Sequence, residues 1–99
     1  MFYYIEELCP ICRTGSIGFR MCSDNNAIVF LCDECGTVWL NPNHVSVESA
    51  LFPESPEYYV EQLQCSLASS TGAKWATKEE IDAAGFTNLI AGESGSISD

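Results

Sequence analysis

Two cysteine pairs constrain this chain more than anything else in it: Cys9-Pro10-Ile11-Cys12 and Cys32-Asp33-Glu34-Cys35, with 19 residues between them and Gly36 directly after the second pair. A C-x2-C turn directs two sulfurs to one side of a tight backbone knuckle. Two such knuckles brought together supply the four soft ligands that a tetrahedral zinc ion takes. The spacing falls within the window of paired zinc knuckles. Iron accepts the same four thiolates in electron carriers, so it is the alternative ion. A disulfide framework is not expected, because the opening Met-Phe-Tyr-Tyr-Ile-Glu-Glu-Leu lacks a basic leader and Glu6 and Glu7 interrupt its apolar run. A redox C-x2-C usually stands alone beside a βαβ pattern, and neither condition holds.

The motifs Cys-Pro-Ile-Cys at 9–12 and Cys-Asp-Glu-Cys-Gly at 32–36 resemble the zinc-ribbon, or rubredoxin-like, family over roughly residues 1–41. The resemblance implies two β-hairpin turns clasping one metal ion held by Cys9, Cys12, Cys32 and Cys35. One position departs from it: Arg13 follows the first knuckle where ribbons often carry glycine, and Gly15 is expected to relieve the turn instead. The resemblance says little about function, since ribbons occur in transcription factors, ribosomal proteins and interaction modules alike.

Alternation of large apolar residues predicts a strand over 2–8, a second over 17–22 and a third over 27–31. Ser23-Asp24-Asn25-Asn26 supplies turn chemistry between the last two, and a short strand over 37–40 stops at Asn41-Pro42-Asn43. Beyond Asn41 the pattern turns helical. Ser55 and Pro56 are suited to cap and open a helix running to Leu63, and Thr77-Lys78-Glu79-Glu80 has capping-box form, with Gly85 as the stop for a helix over 78–84. Trp75, Ile81, Phe86, Leu89 and Ile90 are expected to form one apolar cluster against the sheet. The predicted fold is a small α+β domain over 1–91. An antiparallel ribbon sheet of three or four strands occupies 1–41, a helical extension packs on it from 42 to 91, and 92–99 form a mobile tail.

Cys22 and Cys65 are left over by the metal site: Cys22, in a strand-like stretch, is expected to pack in the core as a small hydrophobe, and Cys65 follows a helix-like run with no neighbouring His or Arg to activate its thiol. His44, the one histidine, reads as a loop or surface residue. No apolar run approaches the ~20 residues of a membrane helix, and a soluble, cytoplasmic protein is expected.

Charge narrows the function. Fourteen acidic residues oppose four basic ones, for a net charge of −10. From Asn41 onward there are nine acids against two bases, compared with five against two before it. Ribbons that grip DNA or RNA do so with lysine and arginine, and only Arg13, Arg20, Lys74 and Lys78 are present, so direct nucleic-acid binding is disfavoured. No nucleophile–histidine pair or phosphate-cradling loop appears, and four thiolates leave a metal no open position, so an enzyme is not expected. The expectation is a non-catalytic protein that binds a basic partner, in the manner of an immunity protein or antitoxin that inhibits a bacterial nuclease toxin. The alternative is a ribbon subunit or accessory factor of a transcription or RNA-processing assembly. Candidate partner-binding residues are Glu54, Glu57, Tyr58, Tyr59 and Glu61 in one segment, and Asp33 and Glu34 at the tip of the second knuckle.

Overall fold

A computed structural model of the chain describes residues 2–22, 26–54 and 57–94. Its centre is an antiparallel sheet built from β1 (Phe2–Leu8), β2 (Ser16–Met21), β3 (Ile28–Cys32) and β4 (Val38–Trp39), in the spatial order β4-β3-β2-β1. These four strands lie within a residue or so of where the alternation placed them. Most of the turn anticipated at 23–26 lies outside the described residues.

The central strands β2 and β3 are buried on both faces, which explains why they read as nearly continuous apolar runs. In β2, Ile17, Phe19 and Met21 point to one side and pair in register with Cys32, Phe30 and Ile28 of β3. Together with Ile5, Trp39 and Ile81 they form the larger core. The alternate residues Val29 and Val38 face the other way, into a smaller core with Cys22, Val60, Cys65 and Leu67. Phe19, Phe30 and Phe86 meet edge-on or tilted in the larger core, with centroids 5.3–6.4 Å apart. Trp39 is fully buried, and its indole N–H donates to the Ser46 carbonyl at 2.8 Å, leaving no polar atom stranded.

The larger core is roofed by α1 (Lys78–Ala83), a helix of six residues. Both halves of its capping box are made: Glu80 N–H donates to Thr77 Oγ1 at 3.2 Å, and Thr77 N–H donates to Glu80 Oε1 at 2.8 Å. At the other end Phe86 N–H reaches the Ile81 carbonyl and Gly85 N–H the Asp82 carbonyl, with Gly85 at φ 85°. These are the paired bonds of a Schellman stop, and they fold Phe86 back onto Ile81. Ile81, Phe86, Leu89 and Ile90 pack on the larger core as the sequence suggested. Trp75 does not join them. It stacks on Phe2 at 4.4 Å, beneath the Arg20 guanidinium.

The helical extension expected over 42–91 is otherwise largely absent, and the structure has little helix. Ser55 and Pro56, the proposed helix start, lie outside the described residues. Beyond them Glu57 and Tyr58 form a turn, followed by a hairpin of β5 (Tyr59–Val60) and β6 (Cys65–Ser66) in place of a helix. Tyr58 and Gln64 take left-handed backbone at φ 52°, which a helix does not tolerate, and Val60 sits opposite Cys65 so that both reach the smaller core. Burial of that pair outweighs the helix preference of Glu61, Gln62 and Leu63.

Nor do the two halves of the chain part at Asn41. β7 (Lys74–Trp75) pairs with the end of β2, and β8 (Gly92–Ser94) pairs with β1, so the later half contributes two strands to the sheet of the first half. Residues 92–94, read as the beginning of a tail, are therefore a strand, and 95–99 lie outside the described residues. Among the described residues no helix is long and apolar enough to cross a membrane.

Candidate metal centre

The four-cysteine end is formed by the β1–β2 connection and the β3–β4 connection, each shaped by its own C-x2-C. The two turns repeat one another atom for atom. In the first, the Ile11 and Cys12 amides donate to Cys9 Sγ at 3.4 and 3.5 Å. In the second, the Glu34 and Cys35 amides donate to Cys32 Sγ at the same two distances. Each turn then closes with an amide returning to the first cysteine's carbonyl, Arg13 to Cys9 and Gly36 to Cys32.

The closing residue must be left-handed, and this settles the departure noted at position 13. Arg13 adopts φ 62° where its counterpart Gly36 has φ 78°. An arginine thus does what glycine does at lower cost in the other knuckle. Gly15 is not the relief valve expected of it. Its role is space: a Cβ there would lie 2.5 Å from Cys32 Sγ and 2.8 Å from the Glu34 side chain, so the first knuckle's exit could not approach the second.

All four sulfurs lie within 4.8 Å of one another. Between the knuckles, Cys9 Sγ lies 3.6 Å from Cys35 Sγ and Cys12 Sγ 3.6 Å from Cys32 Sγ. A tetrahedral ion with metal–sulfur bonds of about 2.3 Å requires sulfur–sulfur edges of about 3.8 Å, so the set fits a single ion. Cys9 and Cys32 are buried in the larger core, Cys12 is half-buried and Cys35 is exposed, which leaves one side of the centre at the surface. Hydrogen bonds from the Thr14 amide and hydroxyl pull the Cys12 thiol down to about 6, whereas burial pushes the Cys9 and Cys32 thiols up. Thr37 Oγ1 lies 3.0 Å from Cys35 Sγ, placed to donate to a thiolate. The donor set, amide bonds and spacing are those of a four-thiolate metal site and are compatible with a zinc ribbon.

Cys22 was expected as a lone core residue and Cys65 as an unreactive thiol after a helix. They are instead joined as a disulfide, 43 residues apart, with both side chains fully buried. The bond ties the β5–β6 hairpin to the end of β2. Arg20 stitches the same regions together: its Nε and Nη2 donate to the Leu67 carbonyl at 3.1 and 2.9 Å, and Nη2 also approaches the Ala73 carbonyl. Burial lowers its pKa. His44 is an exposed loop residue, as expected.

The candidate partner-binding residues divide between two open clefts. Glu54, Glu57 and Glu61 line one of about 470 Å³ together with Tyr59. Asp33, Glu34 and Tyr58 line another of about 500 Å³, beside Cys32 and Cys35 and with Arg20 and Trp75 in its wall. The neighbouring tyrosines diverge, Tyr58 packing against the smaller core and Tyr59 standing half-exposed. Asp33 is tied into the knuckle, its carboxylate accepting from the Ser16 amide at 2.8 Å while its own amide donates back to the Ser16 carbonyl.

An uncharacterised protein of Acanthamoeba polyphaga mimivirus is 26% identical over 90 residues, spanning 84% of this chain and 72% of the viral protein. No family model matches the chain. No solved structure matches it.

Proposed function

We propose that this chain is a non-catalytic protein of the zinc-ribbon type that binds a basic partner protein and neutralises it, a nuclease toxin being the kind of target its charge suits. The observation that carries the reading is where the cations are. Among the described residues Lys74 pairs with Glu80 and Lys78 with Asp82, and Arg20 is buried against backbone carbonyls. Arg13 is the remaining base, set against fourteen acids. Such a surface repels phosphate and draws in positively charged proteins, raising their association rate.

The metal's part is structural. Four thiolates fill a tetrahedral coordination sphere, so the ion organises the fold and has no position at which to activate water. Zinc suits that task because it has no redox chemistry of its own. Reduced thiolates call for a reducing compartment such as the cytoplasm, and full burial shields the Cys22–Cys65 bond there.

Mixing the metal-loaded protein with a panel of purified basic nucleases tests the reading. At least one nuclease is inhibited, and the association rate falls as ionic strength rises. Tight, salt-sensitive binding of DNA or RNA by the isolated chain overturns it. So does co-purification with a polymerase-like assembly and inhibition of no nuclease. The zinc protein is colourless, whereas visible iron–thiolate absorption would reassign the ion.

A further inference from the structure

The cleft lined by Glu54, Glu57 and Glu61 has a second, independent property: two of the side chains in its walls are largely exposed aromatic rings. Phe52 is 62% exposed and Tyr59 49% exposed, and both border the same groove. Neither is a side chain on a loose loop. Leu51, next to Phe52, exchanges two backbone hydrogen bonds with Val38 of β4, at 2.8 and 2.9 Å. Val60, next to Tyr59, is buried in the smaller core opposite Cys65. In extended backbone, successive side chains take opposite faces. Anchoring Leu51 and Val60 inward therefore holds Phe52 and Tyr59 outward, so the rings are presented by the fold before any partner arrives.

Apolar rings held in water beside three carboxylates define the occupant by its charge. Among the described residues no lysine or arginine of this chain forms an ion pair with Glu54, Glu57 or Glu61. A group that lies flat on an aromatic face and also offers several N–H donors to carboxylates is a guanidinium, which stacks and forks in a way that an ammonium does not. From this geometry we infer that the groove receives an arginine side chain of the partner protein, stacked on Tyr59 or Phe52 and bonded to the surrounding glutamates. The inference rests on the basic-partner reading above and adds to it the anchor residue and its seat.

The test uses the metal-loaded full chain and three probe peptides of equal length: one arginine-rich, one with lysine at the same positions, one neutral. Binding is followed by calorimetry and by NMR shifts of the Phe52 and Tyr59 rings. The arginine peptide binds and shifts both rings, the lysine peptide binds about threefold more weakly, and the neutral peptide does not bind. Tyr59→Ala weakens the arginine peptide about fivefold. Glu79→Gln changes net charge as Glu57→Gln does, but lies on α1 over the opposite face of the sheet, and it leaves the affinity within about twofold. Both aromatic positions are exposed, so metal content and circular dichroism of the variants stay unchanged.

Equal losses from Tyr59→Ala and Glu79→Gln, or equal affinity for the arginine and lysine peptides, overturn the arginine seat. If a basic nuclease is still inhibited in that case, the partner reading survives and the interface lies elsewhere. If neither nuclease nor arginine peptide binds, both fall.

Discussion

Sulfur holds this molecule together at two places, and it does so in opposite ways. At the knuckle end, Cys9, Cys12, Cys32 and Cys35 come from two local turns, each already shaped by its own amide-to-sulfur bonds. On the hairpin face, Cys22 and Cys65 come from segments 43 residues apart with no local motif around either. The first arrangement is written into short stretches of sequence and is one that a metal ion could complete. The second needs the rest of the fold in order to exist, and once formed it needs nothing else. Local geometry can be specified by a handful of residues, whereas a long-range covalent tie is a product of the packing it later reinforces.

Removing the metal should have the largest effect. Apparent binding free energies of structural zinc sites are about 10–16 kcal/mol. A whole domain of this size is stable by only about 5–15 kcal/mol. Cys9→Ser, or a strong chelator, should therefore unfold the first 40 residues. Strand signal retained in metal-free protein would show that the knuckles stand without the ion and that the two sulfur sites are more alike than described.

Opening the disulfide is the next perturbation. With a sequence separation of 43 residues between its cysteines, the loop-entropy model gives a loss of about 4 kcal/mol. The Cys22→Ala, Cys65→Ala double variant should lose that stability in chemical denaturation while retaining its metal. A thiol assay of denatured, chelated protein should count four free cysteines before reduction and six after. Six before reduction would remove the covalent half of the comparison.

The smallest effect sharpens the likeness between the two knuckles themselves. Arg13 occupies a left-handed position that its counterpart fills with glycine, so Arg13→Gly should raise stability by about 1 kcal/mol without changing metal stoichiometry. A loss of stability would mean that the arginine side chain makes up for its backbone.

The same contrast explains what could be read from the sequence. The strands β1 to β4 and the cluster of four cysteines were legible because each depends on a local signal: alternation, turn residues, or a two-residue gap between cysteines. The capping box at Thr77 and Glu80 was legible for the same reason. The β5–β6 hairpin was not. Glu57 to Leu63 carries helix formers, and what overrides them is the burial of Val60 and Cys65 against a core contributed from elsewhere. Tyr59-Val60 and Cys65-Ser66 on either side of a four-residue turn, together with exactly two spare cysteines, were the signal available. β7 and β8, of two and three residues, are too short to show any period and exist only through the strands they join. The placing of Tyr58 and Tyr59 in different clefts likewise follows from the hairpin, which sends them to different sides.

Burial of β2 on both faces makes its alignment with β3 unforgiving. A slip of one residue would exchange Ile17, Phe19 and Met21 for Gly18, Arg20 and Cys22, driving a guanidinium into a nest of phenyl rings and parting a sulfur from its mate. The carbonyl cage around Arg20 and the bond from Cys22 to Cys65 therefore act as a pair of dowels, each permitting one alignment of the sheet and no other.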